Sequence, residues 1–579
     1  MNTFTLAART FLRIALPYFR SEERWQARGL LLGVVGAELS VVYLAVLVNQ
    51  WHGRFFNAVE ARDWGGLQRE LVIFLFLTGG AIATAMVQYY FGQMLLIRWR
   101  QWMTLHYLDL WMAEGRHYRI RFVDESVDNI HLRIASDILL FIQRTQELGT
   151  SLLSSIVSLF SFAYILWGIS AIAPLPLFGV DFSFPGYLIV VAVAYASLGM
   201  VFAHFIGRWL IPLNFMQQRR EADFRFAIAR VTDHAEPVAL MGGEAVERGE
   251  LKRRFAALVR NWINLIFRQN RLNCFVFGYY HVSTVLPTLM VTPAYMIGAI
   301  PLGVLMQAAF AFQRVESALA FCTSYAKIAE WKAYLDRVAL FEEAMGKVDA
   351  PDPRALDLAT GTGRDLTVTG VDIHRTSGEP IARVPDFKLS PGQRLLVSGP
   401  SGAGKSSLFK ALAGIWRLGE GAIRLPQGAH VLALPQRPYF PLGTLRQALT
   451  YPLVAEAVED ARVRPAMAAA GLGHLAERLD EEAEWATALS GGEQQRIGFA
   501  RALINAPTVL LLDEGISTLE EAEARELYRM LAEKLPATIV ISTGRAAGLL
   551  GLHQRHIEMT ASPAGRAAHT QGALAAVLA

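Results

Sequence analysis

The chain has little of what would tie it to several large classes of protein. It holds two cysteines, Cys274 and Cys322, and they form no CxxC pair. That excludes a disulfide framework and a thiolate metal site, and two free, buried thiols are the expectation. Surplus charge is scarce too. Against 51 Asp+Glu there are 55 Lys+Arg, a net charge of +4, so no basic excess is available for nucleic acid. Charge is also absent from long stretches. No Asp, Glu, Lys or Arg lies between Arg271 and Arg314, and Leu71–Ile97 and Leu148–Ala173 have none either.

What is present is a chain 53% hydrophobic, with the long apolar runs confined to its first 320 residues. A membrane-crossing helix needs about 20 mostly apolar residues. Six stretches qualify. They are Gly29–Gly53 with one acid, Glu38; Leu71–Ile97; Leu148–Ala173; Gly186–Gly207 with only His204; and two within the run before Arg314. Pro293, Gly298 and Pro301 offer the break between those last two.

The connecting segments alternate in Lys+Arg. There are five before the first span, three in 54–69, seven in 98–146, none in 173–185, twelve in 208–271 and none in 293–301. Basic segments face the cytoplasm, which places both termini and the two long segments inside. Residues 1–28 read as an amphipathic helix on the inner membrane surface, because arginines interrupt the apolar stretch a signal peptide needs. The long inside segments are rich in helix formers and should prolong the spans. Their turns fall near Arg121–Asp128 and Glu236–Glu244, and Glu236, Gly242, Gly243 and Glu244 of the second are expected to couple the spans to whatever lies beneath.

Composition changes at "VDAPDPRALDLATGTGRD", rich in Asp, Pro and Gly. The sequence therefore divides into 1–28, a six-span domain over 29–340, a linker over 341–365, and a domain of alternating strands and helices over 366–579. In the last, "LLVSGPSGAGKSSLFKAL" matches G-x-x-x-x-G-K-[ST] between an apolar strand and a helix. The loop of Gly399, Pro400, Ser401, Gly402, Ala403 and Gly404 has the form that cradles phosphates with backbone N–H groups. Lys405 would reach the β/γ-phosphates, and Ser406 and Ser407 open the helix, with Ser406 toward Mg²⁺. "TVLLLDEG" ends a buried strand on Asp513, suited to the magnesium shell, and Glu514, suited to orient or deprotonate a water. "LSGGEQQR" sets Ser490, Gly491, Gly492 and Glu493 at another helix start that can bind an anion. "ALPQRPYF" puts Gln436 at a strand end, within reach of the metal and the water.

P-loop, glutamine loop, LSGGEQ and LLLDE in this order resemble the nucleotide-binding domain of an ATP-binding cassette (ABC) transporter. The resemblance implies a fold class of six transmembrane helices in an exporter-like arrangement plus an α/β P-loop NTPase domain, using ATP and Mg²⁺. It implies a half-transporter working as a homodimer, in which Ser490 and Gly492 of one copy face the γ-phosphate held by the other. "READFRF", "HAEPVALMGGEAVE" and the stretch Leu305–Arg337 resemble the peroxisomal acyl-CoA transporters. They also resemble the SbmA/BacA-like bacterial peptide carriers with their ATPase-fused relatives. "VDNIHLRIASD" resembles that branch's asp-asn-pro-asp-gln-arg-ile stretch at Asp128, Asn129, Arg133, Ile134 and Asp137, and departs from it at Ile130, His131 and Leu132. Chain length favours the bacterial group. A multi-pass protein of the bacterial inner membrane is therefore expected, moving peptides or other hydrophilic cargo, with import implied by resemblance. A lipid or acyl-CoA transporter is the alternative, and an ATP-binding membrane sensor with weak turnover is a third.

An acid in a span is costly in lipid, so Glu38 is expected to face a water-filled cargo cavity; a hydrogen bond to a neighbouring helix is the structural alternative. His204 and His281 read as packing residues. Arg314 and Glu316 either pair or line the cavity. Two departures from the ABC pattern concern the ATP site. Arg545 lies 31 residues after Glu514 in "VISTGR", where the family's switch histidine is expected. The adenine-stacking position falls at Arg375 or His374 in place of an aromatic. ATP binding is expected to be intact and hydrolysis slow.

Overall fold

The computed structural model describes residues 3–123, 130–177, 180–181, 184–320, 325–349, 355–513, 521–544 and 550–560. The chain forms two compact units, one of Met1–Asp109 with Asn129–Phe341, the other of Leu110–Asp128 with Glu342–Ala579.

Among the described residues, five helical stretches are long and apolar enough to cross a membrane: Arg24–Glu60, Trp64–Phe122, whose residues from Leu110 on belong to the second unit, Ile130–Ile172, Tyr187–Gly207 and Glu244–Met296. The expected sixth exists as Leu302–Leu319 but falls outside that set, because Gln307, Gln313, Arg314 and Glu316 dilute its apolar character. Its position explains why it tolerates them. Ala308, Ala311, Phe312 and Val315 are fully buried, and the helix packs on the first, third, fourth and fifth spans, so much of its surface meets protein. The N-terminal helix, Thr3–Ala15, is followed by Tyr18, which is fully buried and stacks on Trp99 at 5.8 Å. The expected break at Pro293 does not occur there. The fifth helix runs through Pro287 and Pro293, and the turn comes at 297–301 with Gly298 at φ 74°.

The first and sixth spans are clamped at that turn. Leu302 N donates to Glu60 Oε2 at 2.8 Å and Gly303 N to Asn57 Oδ1 at 2.8 Å, which satisfies two of the orphan N–H groups of the sixth helix. A Cβ on Gly303 would collide with the Gly53 carbonyl oxygen, so the two backbones approach as closely as small residues permit. Gly303→Ala is therefore expected to destabilise the membrane unit by at least about 1 kcal/mol, the usual cost of overpacking. A lowered melting temperature of the purified protein in detergent checks this, with Gly278→Ala, where a Cβ meets nothing within 4 Å, as the control.

Further in, Arg133 Nη1 bonds Asp137 Oδ2 at 2.8 Å within one π-helical turn, and Arg337 lies 3.5 Å from the other oxygen of this buried acid. Val127, Asp128 and Asn129 of the same stretch lie outside the described residues. The second inside turn consists of a short helix, Ala235–Leu240, then Gly242 at φ 63°, then the fifth helix from Glu244. Cys274 is exposed on that helix, contrary to the expected burial, while Cys322 lies outside the described residues.

The second unit carries two sheets. One is parallel, in the order Arg555–Glu558, Arg394–Ser398, Ile539–Thr543, Val509–Asp513, Val431–Leu434. Four of its strands are near-continuous apolar runs, as in a parallel sheet buried on both faces, and the edge strand Arg555–Glu558 is polar and largely exposed. The other, mainly antiparallel, is built on Leu366–His374 and Gly419–Leu425. The stretch read as a linker is more ordered than expected. A helix continues to Asp349, and Asp357–Thr360 forms a strand pairing with Gly419–Leu425.

Candidate active site

Four of the motif segments leave the parallel sheet at one edge. In a parallel sheet all strands end on the same side, and ligands bind outside those carboxyl ends. Register puts Val397, Thr543 and Asp513 in one row, with Leu434 opposite Leu512 one residue below. The P-loop, Gln436, Asp513 and the segment leading to Arg545 thus begin side by side. Glu514 and Arg545 themselves lie outside the described residues.

The P-loop backbone fits a phosphate. Gly399, Gly402 and Gly404 take φ of 144°, 80° and 87°, a region side chains rarely adopt. A Cβ at Gly399 would strike the Met559 carbonyl, and one at Gly404 would strike Ala382. The helix that follows, Lys405–Leu412, has no side-chain N-cap, so its first N–H groups stay open toward the loop. Lys405 Nζ bonds the carbonyls of Gly399 at 2.7 Å and Pro400 at 3.0 Å, which holds the ammonium over the cradle.

The residues assigned to magnesium offer hard oxygens: Ser406 in the first turn of the helix, the exposed Gln436 two residues past its strand, and Asp513. Asp513 Oδ1 accepts from Thr543 Oγ1 at 2.7 Å, and among the described residues Oδ2 accepts no hydrogen bond. One oxygen is oriented and one stays open, as a metal ligand or second-shell acceptor requires. Sequence reasoning missed Thr543, since the contact joins residues 30 positions apart. Thr543→Val removes this bond without changing volume much. It is expected to raise the Mg²⁺ concentration for half-maximal ATPase activity about fivefold, the equivalent of about 1 kcal/mol. Titrating Mg²⁺ at saturating nucleotide would show it; an unshifted curve with lowered maximal rate would mean Thr543 only supports the strand.

The signature stretch forms the expected helix start. Ser490 caps Gly491–Asn505 in a capping box with Glu493, whose Oε2 accepts from Ser490 N at 2.9 Å and Ser490 Oγ at 2.7 Å. Hydrogen bonds from Ser490, then from His474, whose Nε2 is 2.9 Å away, pull the Glu493 carboxyl down to about 2. Glu493 is thus committed to the cap, while the N–H groups of Gly491 and Gly492 lie at the positive end of the helix. Arg501 on the same helix is buried and donates to the carbonyls of Ala448 at 2.6 Å and Tyr439 at 2.7 Å, with its guanidinium over the Phe440 and Tyr451 rings. Burial lowers it to about 10, still a cation at neutral pH. It ties the signature helix to the loop that follows Gln436.

At the adenine-stacking position His374 and Arg375 are half-buried, and the His374 carbonyl accepts from Trp416 Nε1 at 3.1 Å. Trp416 meets Phe122 edge-on at 5.0 Å, and Lys410 of the P-loop helix lies over Tyr118 at 5.9 Å. The helix Arg116–Val123, from the first inside turn, therefore packs on the nucleotide unit. The sequence pointed to Glu236, Gly242, Gly243 and Glu244 for this work. In the structure Glu236, Gly242 and Glu244 are exposed and Gly243 is half-buried, and they belong to the membrane unit. Glu38 is buried. It is 6% exposed and accepts a hydrogen bond from Gln88 on the second span, the structural alternative to an open cavity.

A family model described as "ABC transporter transmembrane region 2" matches residues 12–296, and one described as "ABC transporter" matches 383–517. An uncharacterised ABC transporter ATP-binding protein of Synechocystis is 34% identical over 93% of this chain and 81% of its own length. The inner membrane ABC transporter ATP-binding protein YddA of Escherichia coli is 31% identical over 95% and 97%. The human lysosomal cobalamin transporter of the D family is 25% identical over 79% of each chain. The solved structure of a bacterial Atm1-family ABC exporter with ATP bound superposes with a TM-score of 0.65 over 93% of this chain and 95% of that one, at 18% identity, which speaks for the fold alone.

Proposed function

Since the chain belongs to the ATP-binding cassette transporters, as a half-size member with fused membrane and ATPase domains related to the D family, we propose that it works as a homodimer moving hydrophilic cargo across the bacterial inner membrane. The observation that carries this reading is the four motif segments converging at one sheet edge in a chain with one nucleotide module. Lys405 would hold phosphate charge, Ser406, Gln436 and Asp513 would hold Mg²⁺, which would supply charge neutralisation when bound, and Glu514 would take the proton of the attacking water. Ser490 and Gly492 of the second copy close the site. Arg375 or His374 meets adenine.

For cargo we favour peptides, on the resemblance to the SbmA/BacA-like carriers, with import as the direction. Glu38, bonded to Gln88, lends that choice no support. The test is ATP-driven accumulation of a labelled hydrophilic peptide in proteoliposomes, with oligomeric state read by native mass spectrometry. Monomeric protein that hydrolyses ATP at full rate, or vanadate-insensitive accumulation, would sink the reading.

A further inference from the structure

Three ionisable side chains lie well inside the span helices, Glu38 on the first and Arg314 and Glu316 on the sixth. The two acids are answered. Glu38 accepts from Gln88, and Glu316 accepts from Ser283 Oγ on the fifth span, where Ser283 is buried and Tyr279 is also within reach. Arg314 and Glu316 therefore do not pair, which settles the alternative the sequence left open. Arg314 is different. Its guanidinium lies 5.1 Å from the Phe310 ring centre, and among the described residues no carboxylate lies within 4 Å of it. Its side chain is exposed on the protomer, although it lies three residues beyond the buried Ala311 and four before the buried Ala318 and so shares their side of the sixth helix.

Depth makes that exposure informative. Arg314 is 12 residues beyond Leu302, about 18 Å along a helix that starts at the outer turn, near the middle of a hydrocarbon core about 30 Å thick. A guanidinium cannot lose its proton there. Ionisable side chains at such depth face a bundle interior or a water-filled cavity, because lipid cannot solvate them. The protomer leaves Arg314 open, and in the homodimer read above that polar space is a cavity the second copy completes. A Phe310 ring beneath the cation fixes one of its faces and leaves its edge donors free, the arrangement suited to a planar, bidentate anion.

We propose that Arg314 is the cargo-recognition residue of the membrane cavity and that it takes an anionic group, a carboxylate or a phosphate, on the transported molecule. The inference rests on the transport reading above and narrows its cargo: of the three mid-span charges, the one without a protein partner is positive. Two copies of Arg314, one from each half of the homodimer, would present two such anchors.

The experiment uses the full chain in nanodiscs and three dansyl-labelled probes of equal length: a hexapeptide with three Asp, the same peptide with Lys at those positions, and a phosphate monoester. Wild type should bind the Asp peptide or the phosphate ester at least about fivefold more tightly than the Lys peptide, and the better of the two identifies the anion. Arg314→Gln should lose that preference with ATP binding unchanged, and Arg314→Lys should keep most of it. Equal affinity for all probes, a preference for the Lys peptide, or an unaltered preference in Arg314→Gln overturns the proposal. ATP-driven uptake of the peptides without regard to charge would overturn it while leaving the transport reading intact. Absence of both binding and uptake of every probe would count against both.

Discussion

Glu514→Gln protein is expected to bind ATP about as well as wild type and to hydrolyse it about 10²- to 10⁴-fold more slowly, the range a positioned general base contributes. Asp513 ends its strand with Oδ1 held by Thr543, at the same end of the sheet as the P-loop strand, and Glu514 is the next residue in the sequence. An amide of the same size cannot accept the water's proton, so ATP should be retained and the dimer held closed. Lys405→Ala should behave in the opposite way. It removes the ammonium now held by the Gly399 and Pro400 carbonyls over the phosphate cradle, and nucleotide binding itself should fail. The two variants together separate binding from chemistry. Nucleotide affinity measured by fluorescence and steady-state ATPase activity give the pair of readings. Hydrolysis by Glu514→Gln at the wild-type rate would mean that another group activates the water.

How much of this was legible in the sequence depends on whether local or tertiary contacts do the work. The P-loop was legible because its chemistry is backbone chemistry: glycines at 399, 402 and 404 are the residues that tolerate those φ values, and the pattern is contiguous. Ser490 was legible for a similar reason, since a capping box spans four residues. Spans were legible from apolar length, but the sixth helix was read as equal to the others. Its polar residues are tolerated by burial among four neighbours, which hydropathy does not report. For Glu38 the sequence left a cavity and a hydrogen bond to a neighbouring helix open, because its Gln88 partner lies 50 residues away on another span. Thr543 and the Phe122–Trp416 contact escaped for the same reason. A linker was inferred from Asp, Pro and Gly content, yet Asp357–Thr360 joins a sheet, since an edge strand needs only a partner backbone to pair with.

Arg545→His is expected to raise the hydrolysis rate about tenfold, which requires only about 1.4 kcal/mol off the barrier. Arg545 lies outside the described residues, but the strand that leads to it, Ile539–Thr543, runs beside both Asp513 and the P-loop strand. The switch position expected two residues past Thr543 would follow from a strand that ends beside the Mg²⁺ and phosphate residues. A guanidinium there is a permanent cation that binds ground-state phosphate and transition state alike, and uniform binding does not accelerate the step. A cation that met Glu514 there would also lower the basicity of that carboxylate and so weaken the base the reaction depends on. Imidazole differs on both counts. It can be neutral near pH 7, so it contacts phosphate and glutamate without neutralising the base. Because a homodimer repeats the substitution at both sites, no intact site would hide the effect. Arg545→Ala should weaken ATP binding without restoring the rate, since it removes the cation and supplies no hydrogen bond. The measurement is steady-state ATPase activity of the three proteins in one lipid mixture, alongside nucleotide affinity. Tight binding with slow turnover in wild type, and a faster histidine variant, would show a site held back by its own charge. Brisk wild-type turnover that falls in the histidine variant would instead make Arg545 a working catalytic group, stabilising charge that grows on the phosphoryl oxygens as the bond breaks.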